Sequence, residues 1–278
     1  ALEPEVLSAP GKQVSMTDPD ARSMRSRGTG IVGYNVQAAV DTEHHLIVAH
    51  EVTNQGSDRY FLSPMAQKAR AEMGVAELEV VADRGYYNGE EIKASEEAGV
   101  KVYVPKPRTS GNRARGLYDK SDFRYIPQED VYRCPVGDTL IWRQTTEERS
   151  QNLHRYWSSN CQTCRLKSKC TTGKQRRVTR WEHEDILDRV ERRLARVPGK
   201  MRIRCQTVEH PFGTLKHWMG ATHFQMITLE HVSTEMSLHV LAYNMKRVMN
   251  ILGVKSLIEA IRALLHAIIR LFRAPYAV

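Results

Sequence analysis

LEVVADRGYYNGEEIKASEEAGVKVYVP, running from Leu78 to Pro105, decides the fold class of this chain. Leu78 to Ala82 is a short apolar run rich in β-branched residues, which reads as a buried strand ending at Asp83. Asn88 followed three positions later by Glu91 is a helix start, and the helix runs to about Ala98 before Gly99 stops it. Val100 to Val104 is a further strand, closed by Pro105. A strand, a helix and a strand joined by short links imply parallel pairing through a right-handed crossover.

Upstream, Tyr34, Val36, Ala38 and Val40 alternate with Asn35, Gln37, Ala39 and Asp41, the pattern of a half-buried strand ending at Asp41. A polar turn, Thr42 to His45, leads into a second strand, Leu46 to Val52, so the pair forms a hairpin. Asn54 to Asp58 is a turn in which Asp58 is placed to cap a helix with the stripe Phe61, Met65, Ala69 and Met73. Residues 31–104 therefore read as a hairpin followed by α/β units. Residues 1–30 have no periodicity and read as a linker or arm, whose abrupt start is expected to follow further sequence. Between 105 and 181 the regular pattern stops, and this loop-rich stretch holds four of the five cysteines. Helical periodicity returns at Ile186, Val190, Leu194 and Val197, then over Arg202–Trp218 and Leu229–Leu252. Residues 182–253 form a helical block, and 254–278 an amphipathic tail suited to subunit contact.

The 278 residues carry a net charge of +9, but the charge is segregated. Residues 31–104 hold six basic and twelve acidic side chains, whereas 105–220 hold 25 basic and 13 acidic. Within the latter, Arg165, Lys167, Lys169, Lys174, Arg176, Arg177 and Arg180 form a run without an acid, the footprint of phosphate contact. A hydrophobic content of 41% with 26% charged residues excludes wholesale disorder. The most apolar stretch, Ile251 to Phe272, is interrupted by Lys255, Glu259, Arg262 and Arg270, so no membrane span is expected. An odd number of cysteines in a chain of this size points to a reducing, cytoplasmic setting.

Three acids stand out. Asp41 and Asp83 end strands, where ligand-binding groups of α/β sheets collect, and Glu209 lies in the helical stretch Arg202–Trp218. Taken singly, each also reads as a turn or helix-surface residue. Together, converging carboxylates suit Mg²⁺, and two such ions clamp an in-line phosphoryl displacement.

Gly33-Tyr34-Asn35-Val36-Gln37-Ala38-Ala39-Val40-Asp41, Val80-Val81-Ala82-Asp83-Arg84-Gly85-Tyr86 and Val208-Glu209-His210-Pro211-Phe212-Gly213-Thr214-Leu215-Lys216 resemble the catalytic segments of DDE-type transposases of bacterial insertion sequences. The resemblance runs from about Thr17 to Gly253. It implies a ribonuclease-H-like fold: a mixed α/β sheet with flanking helices, Asp41 and Asp83 on adjacent strands and Glu209 on a later helix. It also implies two Mg²⁺ or Mn²⁺ ions, cleavage at transposon ends and joining of the 3′-hydroxyls to target DNA, with a homodimer on DNA, no membrane and no small-molecule substrate. Family members usually carry an N-terminal helical DNA-binding region that this sequence is expected to lack. Their Tyr and Arg upstream of the Glu are replaced here by Arg202 and Cys205.

Lys216 follows Glu209 by seven residues, two helical turns, and is expected on the same face as a phosphate ligand. Arg84, Arg202, Arg204, Arg176 and Arg177 complete the expected DNA contacts. Pro211 would cost a helical hydrogen bond, so a helix starting near Thr207 or a kink is expected.

Cys134, the pair Cys161 and Cys164, and Cys170 lie in the basic stretch. They suit tetrahedral zinc, with four buried thiols as the metal-free alternative and an iron–sulfur cluster less in keeping with the chemistry. The zinc-binding reading holds that this segment has few large apolar residues and needs a staple. The resemblance implies it too, since this subgroup carries a cysteine-bearing insertion. Trp142, Trp157 or Trp181 could stack a flipped base, with core packing expected for at least two. His210 heads the metal candidates His44, His45, His217 and His223, but reads better as a helix-surface residue. Two rivals to the transposase reading share its residues: a non-catalytic DNA-binding relic, and a metal-dependent nuclease that does not join ends.

Overall fold

The computed structural model describes residues 15–26, 28–108 and 110–273. The first fourteen residues of the expected arm and the last five of the expected tail lie outside these described residues. The chain divides into two compact units, one of residues 1–104 with 194–278, the other of residues 105–193.

The first unit opens with a correction. Where an arm without regular structure was expected, β1 (Arg22–Ser26) and β2 (Thr29–Gly33) pair as an antiparallel hairpin. Gly28 turns it with φ +87°, a conformation that favours glycine. The segment before the hairpin is tied down by two carboxylates: Asp18 accepts from Tyr34 Oη at 2.7 Å and Thr228 N at 3.2 Å, and Asp20 from Leu229 N at 2.9 Å. Two of the three partners, Thr228 and Leu229, lie some 210 positions away, so periodicity could not have revealed the anchoring.

β3 (Asn35–Val40) and β4 (Ile47–Thr53) form the expected antiparallel hairpin, with an irregularity between Ala39 and Val40. Next, Ser57 rather than Asp58 caps a short 3₁₀ turn, Asp58–Tyr60, and α1 follows over Leu62–Met73. Asp58 is used elsewhere, as described below. Phe61, Met65 and Ala69 are buried against Ala49, while Met73 is exposed. β5 (Leu78–Val81), α2 (Gly89–Glu97, capped by Asn88) and β6 (Val100–Tyr103) reproduce the expected unit, and β5 pairs with β6 in parallel. The strands of this unit nevertheless form separate two-stranded ladders, β3–β4 and β5–β6, rather than one mixed sheet with Asp41 and Asp83 on hydrogen-bonded neighbours. Helices join the ladders instead: α1 packs on β3, β4 and β5.

The second unit corrects the loop-rich expectation. It contains a five-stranded antiparallel sheet in the order β11-β10-β9-β8-β7. The strands are β7 (Arg124–Ile126), β8 (Val131–Arg133), β9 (Thr139–Glu148), β10 (Gln151–Trp157) and β11 (Val178–Trp181). Its core is Phe123, Tyr132, Leu140, Tyr156 and Val178, with Tyr118 and Tyr125 packed alongside. Tyrosines do the work of aliphatic residues here: the Tyr132 and Tyr156 rings meet edge to face at 5.2 Å, and Tyr156 Oη donates to Asp130 at 2.7 Å. An aliphatic count misses such a core. A one-turn helix, α3 (Lys167–Cys170), sits between β10 and β11, and α4 (Glu184–Arg196) follows the sheet.

Back in the first unit, α5 covers Lys200–Gly213 and carries Pro211 inside it. The helix neither starts at Thr207 nor stops at the proline; it gives way to a π-helical turn, Thr214–Trp218. Pro211 has no N–H for the preceding turn, and π turns tend to sit at functional sites. α6 (Leu229–Leu252) buries Val232, Met236, Val240 and Tyr243 against Ile47 and Val52 of the β3–β4 hairpin and Leu215 of the π turn. At about 1.5–3 kcal/mol for each large apolar side chain fully buried, this is the main cohesive surface of the unit. α7 (Val254–Arg273) continues beyond Gly253 as the expected helix. Among the described residues no helix is long and apolar enough to cross a membrane.

The Asp18 anchor makes a pH-dependent prediction. Burial alone would raise its carboxyl, but the Tyr34 hydroxyl and backbone amides outweigh that and hold it below the usual carboxylate range. A lowered folded-state value contributes stability above the unfolded value and loses it as pH falls through the folded one. Asp18→Asn is therefore expected to lower Tm at pH 7, and in a thermal-melt series the difference from wild type should begin to shrink near about pH 4 and vanish only below the folded-state value.

Candidate active site

Asp41 ends β3 and is built into its own turn. Its carboxylate accepts from Glu43 N at 3.0 Å and His44 N at 2.7 Å, while its N–H donates to Leu46 O at 2.9 Å. Burial pulls the Asp41 carboxyl upward, but these amides, with the nearby His44, hold it below the ordinary range, so it is ionised at neutral pH. The turn is held from outside by α6: Tyr243 Oη donates to His45 O at 2.7 Å and Arg247 Nε to His44 O at 2.6 Å.

Asp83 lies two residues beyond β5 and caps the 3₁₀ turn Arg84–Tyr86, accepting from Gly85 N at 2.7 Å. Its other oxygen accepts from Arg204 Nη2 at 2.9 Å. Arg204 is on α5, which packs against both β3 and β5. Five residues on, Glu209 is exposed. The next residue, His210, places Nδ1 3.0 Å from Tyr243 Oη and its ring 5.1 Å from that of His45. Since Tyr243 gives its proton to His45 O, His210 Nδ1 is the donor in that contact. Burial, then Arg247 and His45, lowers the imidazole's affinity for a proton, so His210 is neutral.

Glu209 is thus bracketed on its helix. Arg204 ties one side to Asp83, and His210, through Tyr243, ties the other to the turn that begins at Asp41. Among the described residues, however, no three His, Cys, Asp or Glu side chains are gathered as a ready metal site. The donor chemistry suits a hard divalent cation, but one Asp83 oxygen is taken by Arg204.

A polar network behind Asp83 escaped the sequence reading. Asp58 Oδ1 accepts from Asn35 Nδ2 and Gln37 Nε2, each at 2.7 Å, and Tyr86 Oη donates to Gln37 Oε1. A Cβ built on Gly85 would lie 2.9 Å from Asp83 Oδ1 and 3.3 Å from Asp58 Oδ2, so the two carboxylates share the space over this glycine. Burial, with the charges of Asp58 and Asp83, pushes the Tyr86 hydroxyl far above its ordinary range and keeps it a donor. Alternation had put Asn35 and Gln37 on the outer face of β3, yet Gln37 is 1% exposed. The available signal was two amides on a strand leading into an acid.

The expected DNA contacts divide. Arg84, Arg202, Lys216 and Arg177 are exposed, with the Arg177 guanidinium over the Trp157 ring at 5.2 Å. The π turn holds more than 3.6 residues, so the two-turn arithmetic that put Lys216 on the Glu209 face does not carry over. Two expectations are corrected: Arg204 is engaged by Asp83, and Arg176 turns inward over Phe123 at 5.4 Å with its Nε buried. Arg180, from the same basic run, is buried, pairing with Asp188 at 2.9 Å. Of the tryptophans, Trp181 is buried and Trp142 half exposed.

Within the second unit Cys134, Cys161, Cys164 and Cys170 are partly buried free thiols, and all four line one cavity of about 30 Å³ together with Arg176. Burial pushes the Cys170 thiol up; Arg176 opposes this, and the other three thiols add to it. Cys205 is exposed on α5 rather than a packing residue.

Residues 5–245 match the family described as Transposase DDE domain. No curated protein and no solved structure matches the chain.

The Arg204–Asp83 pair, partly exposed on both sides, is worth about 1 kcal/mol or less. Arg204→Ala is accordingly expected to tighten Mn²⁺ binding by at most about fivefold in a calorimetric titration. Weaker binding would mean that the guanidinium supports the site rather than competing for it.

Proposed function

The chain belongs to the family of transposase DDE domains, and on that footing we propose that it cuts the ends of an insertion sequence and joins their 3′-hydroxyls to target DNA. Transposases act on DNA, so the partner class follows from the family. The observation that carries the catalytic reading is the bracketing of Glu209 between the Arg204–Asp83 ion pair and the His210–Tyr243–His45 link.

Asp41, Asp83 and Glu209 would hold two Mg²⁺ or Mn²⁺ ions, which when bound supply the charge that activates an attacking oxygen and stabilises a departing one. The protein's own contribution is positional and electrostatic. Turn amides keep Asp41 ionised without an arginine or lysine beside it, leaving its charge for a cation. Arg204 balances Asp83 until one arrives. In cleavage water forms a new bond to phosphorus as the bond to the 3′-oxygen breaks, leaving a 3′-hydroxyl and a 5′-phosphate; in joining, that hydroxyl forms a new bond to a target phosphorus as a target P–O bond breaks and the target's own 3′-oxygen leaves. Joining conserves phosphodiester number, so no energy donor enters. Arg84, Arg202, Lys216 and Arg177 are exposed, Arg177 even while it stacks on Trp157, whereas Arg204 pairs with Asp83 and Arg176 has its Nε buried, which removes these two from the phosphate-binding set.

Cys134, Cys161, Cys164 and Cys170 would hold one structural Zn²⁺; their shared cavity and soft donor chemistry support this. A homodimer on DNA accounts for the joining of two ends, and the exposed Ile258, Ile261, Leu265 and Ile268 of α7 support an interface between copies.

With labelled terminal-repeat DNA, a target plasmid and Mg²⁺, joined products are expected, and Asp83→Asn should reduce both cutting and joining by at least about a hundredfold. Cutting that survives the substitution removes Asp83 from catalysis. Elemental analysis should find one zinc per chain, lost in Cys161→Ser; less than half a zinc in wild type refutes the metal.

A further inference from the structure

The strands that lead to Asp41 and Asp83 share no backbone ladder: β3 bonds to β4, and β5 to β6. In a continuous sheet, ladder hydrogen bonds would fix the distance between neighbouring strand ends. Helices α1 and α5 each pack on both β3 and β5, but apolar packing is non-directional and sets a distance only loosely. One side-chain hydrogen bond spans the gap. Tyr86, three residues after Asp83, donates from Oη to Gln37 Oε1, and Gln37 stands four residues before Asp41 on β3.

The Gln37 side chain is buried, and its amide is used at both ends. Oε1 accepts from Tyr86, while Nε2 donates to Asp58 Oδ1. The Tyr86 hydroxyl, buried and facing the charges of Asp58 and Asp83, keeps its proton and so remains the donor. Asp58 is steadied by Asn35, and its 3₁₀ turn packs on the turn Arg84–Tyr86. The Tyr86 ring lies against the cluster of Phe61 and Met65. The place of Gln37 therefore asks for a side chain that accepts at one end and donates at the other. An amide does both, a carboxylate only accepts, and an aliphatic chain does neither. An aliphatic chain would fill the place without the desolvation cost of an amide, so packing alone does not account for Gln37.

We propose that Gln37 is a positioning residue: through Tyr86 and Asp58 it sets the separation of Asp41 and Asp83. The inference rests on the transposase reading and deepens it. Buried as it is, Gln37 acts through the Asp83 turn rather than on DNA. Magnesium tolerates little departure from octahedral geometry, so acids on two separate ladders hold it together only if their spacing is fixed to a few tenths of an ångström. The Gln37 amide does for this pair of strands what a shared ladder does in a continuous sheet.

The test measures strand joining over a range of DNA concentrations, and Mn²⁺ binding by calorimetry without DNA, on the full chain well below each variant's own melting temperature. Gln37→Met nearly keeps the volume and removes both bonds; Tyr86→Phe keeps the ring and removes one. Each should lower kcat at least about tenfold with KM for DNA within about twofold, and weaken Mn²⁺ binding at least about tenfold. The double variant should be no worse than the poorer single one, because both cut the same link. Gln37→Glu keeps the acceptor for Tyr86 but loses the donor to Asp58. Combined with Asp58→Asn, the donor returns from the other side, and kcat should recover to within about threefold of wild type.

A Gln37 that only stabilises the fold would lower the melting temperature and leave kcat, KM and Mn²⁺ affinity unchanged below it, and that result overturns the proposal. So do losses that add up in the double variant, a loss carried by KM, and an exchange that recovers nothing. In each of these cases a wild type that joins DNA leaves the transposase reading standing. If the wild type neither cuts nor joins, that reading falls and the Mn²⁺ titrations decide alone: weaker binding in Gln37→Met keeps the positioning role, and unchanged binding removes it.

Discussion

The packing of α6 on the β3–β4 hairpin is the constraint from which the rest of the first unit follows. Val232 and Tyr243 are almost fully buried in it, and Asn244 grips the strand by both backbone groups of one residue, accepting from Ile47 N at 3.0 Å and donating to Ile47 O at 2.9 Å. These bonds fix the height of the helix against the strand. From that height Tyr243 and Arg247 reach the turn after Asp41, and Tyr243 also meets His210. A slip of α6 by one turn would strip the Asp41 turn of its outside support and release α5. Substitutions that shrink the buried face, such as Val232 to a smaller residue, therefore act on the site as well as on stability.

The two aspartates are stabilised in opposite ways. Asp41 is charged because its own backbone surrounds it with amides, an arrangement indifferent to what else is bound. Asp83 leans on a side chain from another helix, which can leave. Behind it, Asn35, Gln37 and Tyr86 lock Asp58 in place, so the carboxylate pair over Gly85 has one rigid member and one that trades partners.

Strand and helix periodicity located β3, β4, β5, α2, β6 and α6 because each has a one-sided apolar pattern visible over a few residues. The acids at the ends of β3 and β5 were legible for the same reason. Gln37 was not, because alternation reports which face a residue is on and not whether a distant Asp58 covers that face. The meander of the second unit was missed because its core is tyrosine, whose hydroxyl hides its apolar surface from a hydrophobicity count. Arg176 and Arg180 looked like solvent-facing charges in a basic run, but stacking on Phe123 and Tyr125 turns them inward. The Asp18 and Asp20 anchors and the Arg204–Asp83 pair join positions more than a hundred residues apart, which no local pattern can encode.

The order in which the chain is made gives the second unit a temporal role. Its strands follow one another in space as they do in sequence, so its sheet can condense from pairings between neighbours in the chain as they leave the ribosome. The first unit cannot. Its hairpin is synthesised early, yet the faces that need α6 stay uncovered until translation has passed Tyr243. The turn after Asp41 thereby lacks its outside support until Tyr243 and Arg247 have been made.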